Sequence, residues 1–199
     1  MNPTGALLSR EASSGPSRLS GILVASALAL LAGWNTGDVG PVADPLAAAY
    51  RVGLPSIGLL ITALLVVHSL AQVPSGGWTD RLGAKRAGLL AVAVLVAGNL
   101  ILSATLNFPL AVVTRFFMGG GTALAFLAGN GFLRLAGDSP LAQGWLGGMG
   151  IGGGGLAIAI VPRLDAVLSW RAPYLAALAM AAVTLTALAL APPTEAASS

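Results

Sequence analysis

Apolar residues in this chain come in runs too long for the elements of a water-soluble fold. Six stretches, at 19–42, 54–75, 87–106, 109–135, 142–162 and 170–191, approach or exceed the roughly 20 residues a helix needs to cross a membrane. Between them lie polar breakers: Asp44-Pro45 to Gly53, Pro74 to Arg86, Asn107-Phe108-Pro109, Gly137 to Pro140, and Pro162 to Ser169. The runs lack the two-residue alternation of membrane barrel strands. Backbone groups in lipid must be satisfied within their own segment, so unbroken runs of Ala, Leu and Val imply helices. The pattern predicts an all-α membrane protein: a polar tail over 1–18, a six-span bundle over 19–191 and a polar tail over 192–199. The run from Leu19 outlasts the apolar core of a signal peptide and is followed by comparable runs, so it reads as the first span.

Composition agrees with that pattern and narrows the function. The chain is 56% hydrophobic and 9% charged, with mean hydropathy +0.86. Soluble domains carry about 25% charged residues. With no cysteine, disulfide and thiolate chemistry are excluded. The net charge of +3 comes from bases scattered between apolar runs, which form no stripe for nucleic acid. Their distribution instead sets orientation. An N-terminus on the inner side places Arg10, Arg18, Arg81, Lys85, Arg86 and Arg134 inside, against Arg51, Arg163 and Arg171 outside. Both termini are thus expected in the cytoplasm, with the chain multi-pass in the cell membrane. No nucleophile–base pair and no metal-ligand set stands out, so an enzyme, a metal site and a cofactor are not expected.

The polar residues inside the spans are the candidates for chemistry. Arg115 lies within the fourth span, where a charge costs about 2.5–3.5 kcal/mol on insertion scales and is functional by default. Snorkelling to the outer surface is the alternative. Asp38 sits at a similar depth in the first span and is the natural partner, either pairing with Arg115 or alternating between it and a substrate; an outer-loop carboxylate is the other reading. Asn35 and Asn130 add polar contacts. His68, the single histidine, is either a proton-coupling group or a hydrogen-bonded core residue. Glycines of the fifth span, Gly148 and Gly152 among them, recur at the three- and four-residue spacings that let membrane helices approach closely, and Gly119 and Gly121 are the packing candidates of the fourth.

Several of these stretches resemble the major facilitator superfamily of transporters. The order Gly76-x-x-x-Asp80-Arg81-x-Gly83-x-Lys85-Arg86, a charged hairpin between the second and third spans, is similar to that family's signature loop. Arg115-Phe116-Phe117-Met118-Gly119-Gly120-Gly121 resembles its fourth helix, and Trp170-Arg171-Ala172-Pro173-Tyr174 the opening of its sixth. The resemblance implies one half of the family fold, six helices in a 3+3 inverted repeat, with the hairpin closing an inner gate against the opposite half. It also implies a secondary transporter moving a small polar or anionic solute by alternating access. The fifth span departs from the antiporter pattern, which places Gly-Pro near its middle; here the proline is the late Pro162. A second six-helix half is expected from a homodimer or a separate chain, unless the sequence is a shortened one. The competing class is a membrane scaffold or assembly protein that does not transport, or a truncated transporter fragment.

Overall fold

The computed structural model describes residues 16–135, 137 and 139–191, and they form an all-helical bundle with no strand among them. The helices are α1 (Pro16–Gly37), the short α2 (Ala43–Tyr50), α3 (Leu54–Leu82), α4 (Ala84–Ala104), α5 (Phe108–Leu135), α6 (Pro140–Leu168) and α7 (Ala172–Leu190). Five segments are long and apolar enough to cross a membrane; the last, Pro140–Leu190, contains both α6 and α7. Most of the tails expected at 1–18 and 192–199 lies outside the described residues.

Four boundaries differ from the expectation, each for a local reason. The first span ends at Gly37 rather than near residue 42. The chain bends at Asp38 and Val39, then makes a 3-10 turn over Gly40–Val42 with Pro41 inside it. Residues from Asp44 to Gly53 are not simply a breaker. They form α2, which stops at Arg51 in the left-handed region (φ 56°). The charged stretch after Pro74 is mostly helical rather than a hairpin: α3 runs through Pro74 and both following glycines to Leu82. A single residue, Gly83 (φ 79°), makes the turn into α4. Proline in a membrane helix is tolerated where neighbours re-satisfy the freed groups, and α3 has left its apolar run by that point. Likewise α6 passes Pro162 and ends at Leu168, with Arg163 Nη1 donating to the Ala159 carbonyl beside the proline.

Two helices organise the bundle. α1 and α5 pack on each other, α1 takes α6 and α7 on its flanks, and α5 takes α3 and α4; α4 and α7 close the far side. The tightest seams are built on glycine. A Cβ on Gly33 would land on the Gly150 carbonyl, one on Gly37 would come 2.8 Å from Gly154 Cα, and one on Gly153 would strike the Leu30 carbonyl. Across the other seam, a Cβ on Gly119 would collide with the Leu64 carbonyl and come 3.0 Å from the His68 amide nitrogen. In lipid there is no water to drive helices together, so close backbone approach supplies the association through van der Waals contact. A Cβ on Gly121 would come 2.9 Å from the Val94 side chain. Gly148 and Gly152, expected in a seam, are not in one: a Cβ on either would meet nothing within 4 Å. The helical phase of α6 turns Gly150, Gly153 and Gly154 toward α1 instead, which spacing within a near-continuous glycine run does not reveal.

Candidate functional site

The largest fully buried side chain in the bundle is a charged one. Arg115 lies two turns into α5, about 10 Å along its axis from Phe108, and is 1% exposed. Its Nη2 donates to Asp38 Oδ1 at 2.9 Å, with Asp38 equally buried. Its Nη1 donates to the Asn35 carbonyl at 2.8 Å. That carbonyl belongs to the last turn of α1, where helix C-termini leave acceptors without intrahelical donors. Arg115 therefore satisfies a backbone acceptor and a carboxylate at the point where α1 unwinds. The break at Asp38 is what allows it: the carboxylate leaves the helical path just where α5 presents the guanidinium.

The surroundings of the pair come from the far side of the bundle. Asn99 on α4 donates to Asn35 Oδ1 at 2.9 Å, and Asn35 donates to the Leu31 carbonyl at 2.8 Å. The Tyr174 ring on α7 lies 5.5 Å from the Arg115 guanidinium carbon, a cation–π distance. Above it, Tyr50, Phe108, Trp170 and Tyr174 pack edge-on or tilted with ring centroids 5.8–6.5 Å apart. The Trp34 indole donates to the Pro173 carbonyl at 3.0 Å, tying α1 to the start of α7. Arg115 and Asp38 thus face the interior formed by α1, α4, α5 and α7, under an aromatic cover, and not an open surface. Asn99 and Tyr50 were not singled out in the sequence. Tyr174 sat in a quoted motif, whereas Asn99 is a lone amide in an apolar run and gives no signal in one dimension.

Opposite this packed side, α1, α3, α5 and α6 leave a groove of about 350 Å3. Ala32, Gly33 and Thr36 of α1, His68 of α3, Phe126 of α5, and Gly147, Gly150 and Ile151 of α6 line it. His68 is half-buried, with Nδ1 2.9 Å from Thr122 Oγ1 and Nε2 3.2 Å from Gln72 Nε2. The sequence candidates therefore fall into two places. Asp38, Arg115 and Asn35 meet inside the bundle, and His68 stands at the groove. Asn130 joins neither: it lies 15 residues beyond Arg115 on the same helix, about 22 Å along the axis, which corrects its expected place beside the pair.

The residues between α3 and α4 occupy one end of the bundle. Asp80 reaches Arg134 at 3.9 Å with both side chains more than half exposed, an ion pair of little energetic weight. Lys85 Nζ donates to the Ala191 carbonyl at 2.5 Å, closing the end of α7. Ala84 lies so close to Gly131 that a Cβ there would come within 2.7 Å of it. Gly83 is buried in this turn, Gly76 is open on its Cβ side, and Arg81 and Arg86 point outward.

A bundle of long apolar helices, locked by a buried ion pair on one side and open as a groove on the other, is that of a multi-pass membrane protein. A comparison with known families names which: the model of the Major Facilitator Superfamily matches residues 22–199, and the chain belongs to that family. The family consists of transporters rather than enzymes. No curated protein matches the chain.

Proposed function

We propose that this bundle is one half of a secondary transporter that moves a small polar solute by alternating access, with the groove of α1, α3, α5 and α6 facing the solute path. The observation that carries this reading is the pairing of the helices. Counting α1, α3, α4, α5, α6 and α7 as six spans, the first packs on the fifth as the second packs on the fourth, and the third meets the sixth. Exchanging the first three with the last three leaves that set of pairings unchanged, which supports reading the bundle as a 3+3 inverted repeat. In such folds the solute sits at the interface of two halves near mid-membrane. A groove with contributions from both repeats, centred on α1 and α5, suits that position.

In this reading Asp38, Arg115 and Asn35 are framework groups that hold the two central helices in register. Gly76, Arg81 and Arg86, left outward at one end, form the surface that meets the second half when the inner gate closes; Asp80, Gly83 and Lys85 shape that end. The termini are cytoplasmic, and the second half is another copy of this chain. The test is a mass measurement of the full chain in detergent, coupled to solute uptake after reconstitution into liposomes. A dimeric mass with uptake supports the proposal. A monomer inert in liposomes sinks it and favours a non-transporting membrane scaffold.

A further inference from the structure

The hydrogen bonds around the groove have fixed directions, and those directions constrain what it can hold. Thr36 Oγ1 donates to the Gly33 carbonyl at 2.7 Å, and Thr122 Oγ1 donates to the Gly119 carbonyl at 2.9 Å. The Gln72 amide nitrogen, 3.2 Å from His68 Nε2, can only donate. Nε2 is therefore the acceptor, and the hydrogen of the neutral ring sits on Nδ1, facing the Thr122 oxygen. The polar atoms at the groove, Thr36 Oγ1 and His68 Nε2, are thus both acceptors. Phe126, Ile151 and glycine backbone make up most of the rest, and among the described residues no Lys, Arg, Asp or Glu lines it.

We infer that the groove binds an uncharged solute with a ring-sized apolar body and an N–H or O–H group that donates to His68 Nε2, displacing Gln72. The inference rests on the transporter reading only in taking the groove as the solute-facing surface. An anion here would set its charge against two lone pairs, because Arg115 is spent on Asp38 and faces the other side. A cation would leave water without meeting a carboxylate. Either charge is costly to bury unpaired. The uncharged donor keeps its hydrogen bond and covers the Phe126 ring.

The test uses the full chain in lipid nanodiscs at about pH 7.5, a unit above the usual imidazole value. Equilibrium dialysis compares indole, indole-3-carboxylate and tryptamine, with empty nanodiscs subtracted. Indole should bind, and each charged analogue should bind at least about tenfold more weakly, because neither finds a counter-charge. His68→Ala should weaken indole about three- to tenfold, the effect of one hydrogen bond. Gly147→Leu should abolish binding, since a Cβ there meets nothing within 4 Å and the longer side chain fills the groove without disturbing a seam. Tighter or equal binding of either charged analogue, indole binding indifferent to Gly147→Leu, or no indole binding would overturn the inference. Uptake of the same probes into liposomes is read separately. Binding with the expected preference but no uptake leaves the ligand class standing and removes the transport reading instead.

Discussion

Neutralising one member of the Arg115–Asp38 pair should destabilise the bundle far more than neutralising both. Asp38→Asn leaves a guanidinium in a site 1% exposed, and Arg115→Gln leaves a carboxylate there. Removing one partner of a buried pair costs about 3–5 kcal/mol, mostly the penalty of the charge left behind. Arg115→Gln also takes the donor from the Asn35 carbonyl, so it should fall at the upper end. For a chain of this size each kcal/mol moves the melting midpoint by about 2–4 °C, giving a drop of about 6–20 °C for either single variant. The double variant Asp38→Asn/Arg115→Gln carries no stranded charge and offers two amides in place of the pair. It should recover at least half of the larger loss, which with single losses of about 3–5 kcal/mol makes the coupling in the double-mutant cycle at least about 4.5 kcal/mol. Thermal unfolding of the four proteins in one detergent, followed by tryptophan fluorescence, measures the cycle. Additive losses, or single variants within about 2 °C of the parent, would refute the argument that the pair locks α1 to α5.

Two further outcomes follow from the packing and the orientation. Gly153→Ala should cost about 1–3 kcal/mol, because the new methyl strikes the Leu30 carbonyl across the α1 seam. The neighbouring Gly152→Ala meets nothing within 4 Å and should be neutral or stabilise by up to about 1 kcal/mol through helix entropy; melting midpoints of the pair separate the two faces of α6. Since the chain has no native cysteine, single-cysteine variants report sidedness cleanly. Gly77→Cys should react with an impermeant maleimide only in inverted vesicles, and Gly53→Cys only in intact cells; the reverse pattern would overturn the cytoplasmic termini.

The helices and their order were legible because lipid demands long apolar runs, and the runs stand out against a few charges. What escaped the one-dimensional reading is mostly angular. A run such as Gly152 to Gly155 carries no phase, so the sequence pointed to Gly148 and Gly152 while the helix turns Gly150, Gly153 and Gly154 into the seam. Polar breakers were read too literally at Pro74 and Pro162, where the helices continue past the end of the apolar stretch. The fourth-span arginine and its partner at Asp38 were visible as charges at equal depth. Their direction was not, since neither Asn99 nor the Tyr174 ring announces itself as a neighbour of the pair.

That direction changes what the charges can do. An arginine inside a transporter invites the idea of a solute anchor, and depth alone does not distinguish an anchor from a lock. Here the guanidinium spends two donors on groups of α1, lies against a tyrosine ring, and is covered by aromatic side chains from three helices. A group so engaged exchanges partners only if α1 moves away from α5, the contact on which the rest of the bundle is hung. His68 is the opposite case: half-buried, on a flanking helix, with a ring nitrogen whose present partner is an exposed amide. Movement of α3 or arrival of a solute donor changes its bonding without opening the core. In the proposed transporter, the costly charge therefore belongs to the framework, and the inexpensive, exchangeable hydrogen bond belongs to the solute face.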